Sequence, residues 1–206
     1  MGVVLVGGQS RRFGSPKAVA ATPVGPLASI AVDALRGAGV DPVVLVGHPE
    51  RDRSTAALLG LPLVADRRPD AGPLAALATA LGWAATGSVV VLPCDLTDID
   101  ADTISHLLAV RAAAPEETAV VARGCDGRPD PTVGAWPASQ ARVVQRIVSD
   151  GARRWQAVFD VIEVEMVTVG ADTLSDADEP ATLHARFGGE IAAQDPERGT
   201  ETEDLS

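Results

Sequence analysis

Aromatic and thiol side chains are scarce in this chain. Aromatic residues make up 3% of its 206 positions, tyrosine is absent, and there are two cysteines, Cys94 and Cys125. Two thiols this far apart in sequence form neither a disulfide framework nor a cysteine-rich metal cluster. The core must therefore be packed from aliphatic side chains, mainly Ala, Val and Leu, which supply most of the 46% hydrophobic content.

Long apolar runs and an excess of basic charge are also absent. No apolar stretch approaches the roughly 20 residues that cross a bilayer. Met1 leads into a strand-like segment rather than into a basic and then apolar signal sequence. We therefore expect a cytoplasmic protein without a membrane partner. The formal net charge of −11 also disfavours nucleic acid as a partner, because such binding depends on a basic surface.

The length suits one α/β domain, which we place at residues 1–187. The remaining residues, 188–206, carry six acidic side chains and one arginine and have no apolar period. A polar segment dominated by one charge cannot bury enough apolar surface to fold. We expect this segment to be an acidic tail that is disordered or forms a polar cap.

Short apolar runs alternate with longer segments rich in Ala and Leu. This alternation predicts an α/β architecture of three layers, with a mostly parallel sheet covered by helices on both faces. The strands are predicted at Gly2–Val6, Pro42–Val46, Leu61–Ala65, Ser88–Leu92, Thr118–Ala122, Pro131–Ala135 and Val161–Val169. The helices are predicted at Gly25–Ala38, Arg51–Leu59, Pro73–Ala85, Asp100–Ala113, Pro137–Asp150 and Asp178–Phe187. Ligands of such sheets bind outside the carboxyl ends of the strands, so chemistry is expected directly after each strand.

The first loop of this kind lies in the sequence VVLVGGQSRRFGSPK. Its glycine spacing fits neither the dinucleotide motif G-x-G-x-x-G nor the P-loop. The features of a phosphate site are nevertheless present. Gly7 and Gly8 allow close approach of a ligand to the backbone, and successive N–H groups can bind an anion. Arg11, Arg12 and Lys17 add positive charge. A triphosphate would use all of these features, and a solvated basic loop is the alternative that the residues alone leave open.

The stretch LVGGQSRRFGSPK resembles the signature L-A-G-G-x-S-x-R-M-G-x-x-K of the nucleotidyltransferases that build nucleotide sugars and related cofactors. It is most similar to the branch of molybdenum cofactor guanylyltransferases and their cytidylyltransferase relatives. Val6 stands in place of Ala and Phe13 in place of Met, and both keep the apolar character. The guanylyl branch more often has an acidic residue directly before the lysine, where this chain has Pro16, so both GTP and CTP remain open.

Further segments resemble the same family in order along the chain. ADRRPDAGPLAAL contains Asp66 and the G-P-L-A start of a helix, and VVLPCDLTDI contains a strand ending in P-C-D. DGRPDPTVGAW resembles the segment that closes over the acceptor, with Asp130 in place of His. SDGARRW matches a G-x-R-R segment of the guanylyl branch, and SDADEPATL resembles N-x-N-T-P-E-E-L near the C-terminus. The resemblance runs from about Val3 to Phe187.

Asp95 follows a strongly apolar predicted strand and so falls at the carboxyl edge of the sheet, facing the first loop. A carboxylate there can hold Mg²⁺, which prefers one or two carboxylates together with phosphates and water. An aspartate that only caps a turn is the alternative from the residues alone. The resemblance favours the metal role and implies Asp178, with Asp176 as the alternative, for the second ligand.

The resemblance also implies which side chains act on the substrates. Catalysis is expected from Arg12, Lys17 and Asp95, which neutralise the triphosphate and hold the metal. The nucleotide is expected to contact Leu5, Val6, Gly7, Gly8, Ser10, Arg11, Lys17, Asp66, Gly72 and Pro73. The acceptor phosphate is expected to contact Arg128, Arg153 and Arg154.

These features imply a Mg²⁺-dependent nucleotidyltransferase with a Rossmann-like fold. The implied reaction transfers GMP from GTP to the phosphate of molybdopterin and releases pyrophosphate. Cytidylyl transfer to the same pterin, nucleotidyl transfer to a sugar phosphate, and a nucleotide-binding protein without catalysis are the alternatives. The expected partners are a nucleoside triphosphate and a phosphorylated pterin, and the chain is expected to act as a monomer or a weak oligomer.

Overall fold

The computed structural model describes residues 1–7, 13, 16–84 and 86–187. The strands in these ranges are β1 (Gly2–Leu5), β2 (Ala21–Thr22), β3 (Gly25–Pro26), β4 (Val43–Gly47), β5 (Leu63–Ala65), β6 (Ser88–Pro93), β7 (Ala119–Arg123), β8 (Pro129–Pro137) and β9 (Val164–Thr168). The α-helices are α1 (Leu27–Gly37), α2 (Arg53–Leu59), α3 (Pro73–Trp83), α4 (Ala101–Ala113), α5 (Ala141–Ser149), α6 (Gln156–Phe159) and α7 (Pro180–Phe187). Short 3₁₀ turns occupy Lys17–Val19 and Ala138–Gln140.

The central sheet has seven strands in the order β5-β4-β1-β6-β8-β7-β9. Strands β5, β4, β1 and β6 are parallel to one another. Strand β8 runs opposite to both of its neighbours, β6 and β7, and β9 is parallel to β7. The predicted fold class, a mostly parallel sheet between helices, is therefore confirmed. The order places β1 in the interior of the sheet, so Val6 and Gly7 after its end lie between the ends of β4 and β6.

The core consists of two apolar layers, one on each face of the sheet. Successive strand side chains point to opposite faces, so Val4 packs in the layer under α1 and α4. Its neighbours Val3 and Leu5 pack in the layer under α3 and α5. This two-sided burial explains why the parallel strands read as continuous apolar runs rather than as alternating ones. As the composition predicts, most of the core is aliphatic, although Trp136 is also fully buried.

Several predicted boundaries differ from the structure, and local contacts explain three of them. The helix predicted from Gly25 begins at Leu27, because the two preceding residues form β3 and pair with β2 in a small hairpin. The helix predicted from Pro137 begins after the end of β8 and a 3₁₀ turn. The strand predicted from Val161 begins at Val164, because the N–H groups of Val161 and Ile162 bond back to Val158 in α6. Helix α6 itself was not predicted.

The described part of the chain contains no helix with the length and apolar content that a bilayer crossing requires. The predicted acidic tail, 188–206, lies outside the described residues.

Candidate active site

A cavity of about 530 Å³ lies at the carboxyl ends of β1, β4, β5 and β6, where the topology predicts a ligand. Nine of the residues assigned from the sequence line it: Leu5, Val6, Gly7, Lys17, Asp66, Gly72, Pro73, Asp95 and Asp178. The fold therefore brings together residues that are far apart in the chain. Leu5 and Asp178, the first and the last of this set, are 173 positions apart. Below, this cavity is called the cleft.

Lys17 is the cation at the centre of an ionic group in the cleft. Its Nζ donates to Asp95 Oδ2 at 2.7 Å and to Asp178 Oδ1 at 3.0 Å. The Lys17 side chain is only 11% exposed. Burial by itself lowers the pKa of Lys17, but the hydrogen bonds and charges of Asp95 and Asp178 outweigh that effect and raise the pKa above its ordinary value. Lys17 is therefore charged at neutral pH.

Asp178 reaches Lys17 because the segment before α7 is attached to the chain that follows β6. Ala177 N–H donates to the Asp95 carbonyl at 3.0 Å, and Thr97 N–H donates to the Ser175 carbonyl at 3.0 Å. Ala177 is fully buried in an apolar cluster with Leu27 of α1 and Leu183 of α7. These contacts fix the segment that carries Asp178 beside the end of β6.

A second ion pair holds the end of α7 to the same region. Arg186 pairs with Asp98, just beyond β6. The hydrogen bond from Arg186 lowers the pKa of Asp98 below its ordinary value. The carboxyl end of β6 is thus tied to the C-terminal helix by a charged contact as well as by the buried Ala177 and Leu183.

The region around the end of β6 carries an excess of carboxylates, of which Asp95 and Asp178 line the cleft. Burial, followed by the charges of Asp178 and Asp95, raises the pKa of Asp176. Asp130 adds a smaller contribution of the same sign, and its carboxylate accepts from Thr132 N–H at 2.9 Å. A cation in addition to Lys17 would offset this mutual repulsion. Within the described residues, no group of three or more His, Cys, Asp and Glu side chains is arranged to hold a metal ion unaided.

The loop after β4 is built around the buried carboxylate of Asp52, which is 2% exposed. Asp52 Oδ2 accepts from His48 N–H at 2.6 Å. His48 Nδ1 in turn accepts from the N–H groups of Glu50 at 3.2 Å and Arg51 at 3.3 Å. A Cβ at Gly47 would collide with the Asp52 carboxylate and would lie 2.8 Å from Val6 Cγ2. Only glycine at position 47 therefore allows this loop to pack against the end of β1.

The loop after β5 is fixed by Asp66. Its Oδ1 accepts from Arg68 N–H at 3.0 Å and from Thr79 Oγ1 at 2.9 Å, and Thr79 is buried in α3. Asp70 in the same loop has a φ of 64°, and its Oδ1 accepts from Arg51 Nη2 at 3.0 Å. The loops after β4 and β5 are thereby joined along one side of the cleft.

Seven further predicted site residues have to be placed. Gly8, Ser10, Arg11 and Arg12 lie outside the described residues, and the other three are described but do not line the cleft. Arg128 is 87% exposed and pairs with Asp126 at 3.6 Å. Arg153 and Arg154 are exposed in the segment between α5 and α6. Their assignment to the acceptor phosphate stays a prediction.

Residues that the sequence reasoning did not assign also line the cleft: His48, Arg51, Asp70, Cys94 and Thr132. Most of them follow the ends of strands, so the rule of searching the carboxyl ends could have selected them. The three histidines of the chain are scattered in sequence, so no spacing pattern selects His48. For Cys94, burial raises the pKa of the thiol far above its ordinary value, as expected of a packed residue rather than a nucleophile.

A mostly parallel sheet with a lysine and two carboxylates gathered at its carboxyl edge fits the nucleotidyltransferase class. Residues 2–166 match the family model of the MobA-like NTP transferase domain, and the chain belongs to that family of nucleotidyltransferases. The molybdenum cofactor guanylyltransferase of Nitrobacter hamburgensis is 30% identical over 204 residues, which cover 91% of this chain and 96% of that protein.

Solved structures support the same fold. The molybdopterin-guanine dinucleotide biosynthesis protein A of Archaeoglobus fulgidus superimposes with a TM-score of 0.73 at 21% identity, over 91% of this chain and 97% of that one. A Mycobacterium tuberculosis protein solved in complex with manganese gives a TM-score of 0.64 at 20% identity, over 90% of this chain and 96% of that one.

The buried carboxylate of Asp52 generates a prediction about stability and pH. Burial raises the pKa of Asp52 more than the His48 N–H lowers it. The stability that Asp52 contributes is therefore fully present below the ordinary pKa of an aspartate and is lost as the pH rises through the higher pKa of the folded state. Asp52→Asn keeps an oxygen for the His48 N–H and removes the buried charge. We expect its thermal midpoint to exceed that of the wild type at about pH 7 and the difference to close near about pH 4.

Asp52→Ala is the matched variant for this measurement. It removes the charge and also leaves the His48 N–H without its acceptor, so its midpoint should fall below that of the wild type at both pH values. Thermal unfolding followed by circular dichroism across this pH range measures both variants. An Asp52→Asn protein whose midpoint differs from the wild type by a constant amount at every pH would contradict the role assigned to the buried charge.

Proposed function

We propose that this chain transfers GMP from GTP to the phosphate of molybdopterin and releases pyrophosphate, with Mg²⁺ as cofactor. The observation that carries the proposal is the Lys17 ionic group inside the cleft, because a cation flanked by two carboxylates suits a ligand of phosphates and metal. The choice of GTP and molybdopterin is supported by the name of the Nitrobacter relative. The same choice agrees with the G-x-R-R segment at Gly151–Arg154.

Asp95 and Asp178 fit a divalent cation by their chemistry. Their oxygens converge on one point, the Nζ of Lys17, and carboxylate oxygens are the ligands that Mg²⁺ takes together with phosphates and water. The raised pKa of the neighbouring Asp176 is further support for a region that favours added positive charge. We assign Asp95 and Asp178 as the residues that would hold the metal. A bound Mg²⁺ supplies Lewis-acid neutralisation of phosphate charge at this position.

In the proposed reaction, an oxygen of the acceptor phosphate attacks the α-phosphorus of GTP. A new phosphorus–oxygen bond forms, the bond from the α-phosphorus to the bridging oxygen breaks, and its electron pair leaves with pyrophosphate. Phosphoryl-type transfers of this kind are catalysed mainly by positioning and charge neutralisation. The protein therefore needs no covalent nucleophile, in agreement with the un-ionised state of the Cys94 thiol.

Lys17 performs the neutralisation that the reaction requires. It is charged, largely buried and held by two carboxylates, so it meets the triphosphate without rearranging water around itself. Its position in the 3₁₀ turn after the first loop places it opposite Asp95 at the end of β6. Gly7 and Val6 line the cleft beside it and let the nucleotide approach the end of β1. By the resemblance, Arg11 and Arg12 would add to this charge.

The specificity of the reaction can be tested by pyrophosphate release. The purified chain is supplied with each of the four nucleoside triphosphates and Mg²⁺, with and without molybdopterin, and the product is identified by mass spectrometry. We expect release that depends on GTP and molybdopterin together, with a product of molybdopterin joined to GMP. Incorporation of CMP with GTP ignored, or transfer only to a sugar phosphate, would contradict the proposal and favour the corresponding alternative.

Asp95→Asn should remove most of the activity. The substitution keeps the size of the side chain but removes a metal ligand and one of the two carboxylates that hold Lys17. We expect the rate of pyrophosphate release to fall by at least about 100-fold. The Asp33→Asn variant, which changes an exposed aspartate of α1 outside the cleft, is the control and should keep the wild-type rate. Nearly unaltered turnover of the Asp95→Asn protein would contradict the assignment of Asp95 as a metal ligand.

A further inference from the structure

We infer that Arg51 selects guanine, by donating hydrogen bonds to O6 and N7 of the base from the side of the cleft opposite Lys17. The inference rests on the proposed function in one respect, because it takes the cleft as the site of a purine nucleoside triphosphate. Arg51 belongs to no motif of the sequence, and the assignment comes from its place in the fold.

The sheet order separates the two charged sides of the cleft. Arg51 follows β4, and Asp95 follows β6, while β1 lies between these two strands. Both residues line the same cavity. A nucleotide whose phosphates lie at Lys17 and Asp95 therefore extends its base across the end of β1 toward the loops that follow β4 and β5. Those loops carry Arg51, Asp66 and Asp70.

The position of Arg51 is fixed through both its backbone and its side chain. Its N–H donates to His48 Nδ1 at 3.3 Å, and His48 is itself held by the buried Asp52. Its Nη2 donates to Asp70 Oδ1 at 3.0 Å. Among the described residues, Asp70 is the hydrogen-bond partner found for the Arg51 side chain. The planar guanidinium has further N–H donors, which can therefore serve a ligand in the cleft.

The pair of Arg51 and Asp70 is poorly explained by stability alone. Each side chain is 36% exposed, and ion pairs at such positions contribute little to folding. Asp70 also adopts a φ of 64°, which is uncommon and unfavourable for a residue other than glycine. The Asp70 carboxylate accepts from Arg51 in this conformation, and a ligand-binding role for Arg51 accounts for a pair that adds little to stability.

The chemistry of the two walls favours guanine over the other bases. The arginine fork matches the adjacent acceptors O6 and N7 of guanine, which is the commonest base-specific contact of arginine. Adenine presents an N6 amino donor beside N7, so the fork would face a donor. The Asp66 carboxylate on the same side of the cleft can accept from the N1 and N2 donors of guanine, whereas cytosine offers a single amino group.

Equilibrium binding without the acceptor tests this assignment. GTP, ATP, CTP and 7-deaza-GTP, which lacks the N7 acceptor, are titrated into the wild type and into Arg51→Met. We expect the wild type to bind GTP about tenfold more tightly than 7-deaza-GTP. In Arg51→Met, GTP should bind more weakly and the two nucleotides should bind equally. Arg53→Met, which changes an exposed arginine at the start of α2 outside the cleft, should behave like the wild type.

Loss of the N7 preference in Arg51→Met alone supports the inference, since a general loss of folding would not act on one atom of the base. An Arg51→Met protein that keeps the wild-type ratio overturns it, as does a wild type that binds CTP in preference to GTP. If guanine binding depends on Arg51 but no molybdopterin product forms, only the proposed function is contradicted. If the product forms but substitution of Arg51 leaves the N7 preference unchanged, only the assignment of Arg51 is contradicted.

Discussion

The ionic group of Lys17 is the constraint on which the rest of the site depends. Its Nζ joins the turn after the first loop to Asp95 at the end of β6 and to Asp178 before α7. These segments are 78 and 161 positions away from Lys17 in the sequence. The buried contacts of Ala177 and Leu183 bring the C-terminal segment into range. Without this docking, Asp178, whose side chain stays 65% exposed, would lose its pairing with Lys17.

The two sides of the cleft differ in the charge of their side chains. Around β6 an excess of carboxylates surrounds one buried lysine, which suits phosphates and a divalent cation. Around β4 and β5 the loops are fixed by the buried Asp52 and Thr79. They carry Arg51 and Asp66, the donor and the acceptor of the proposed contacts with guanine. Gly47 allows these two sides to meet, because any larger side chain there would displace Asp52 from the end of β1.

Much of this arrangement could be predicted from the sequence, because it follows from local patterns. Apolar runs determine the strands, and their carboxyl ends determine where Gly7, Asp66 and Asp95 must lie. The hairpin β2–β3 and the short α6 were missed, since a two-residue strand and a single helical turn leave no periodic signal. Arg51 and His48 were missed for another reason. Their importance arises from contacts with Asp70 and Asp52 across a turn and between loops, and no spacing rule describes such contacts.

We propose that Lys17 neutralises the triphosphate while its carboxylate partners hold it in place. The most direct test is the rate of pyrophosphate formation in a single turnover of Lys17→Met, with saturating GTP and with molybdopterin limiting relative to the enzyme. Lys17→Arg is the control that keeps the charge. We expect Lys17→Met to lose at least about 100-fold in rate while circular dichroism shows the native helix content, and Lys17→Arg to retain more activity. A Lys17→Met protein that is as fast as the wild type to within about threefold would contradict the account.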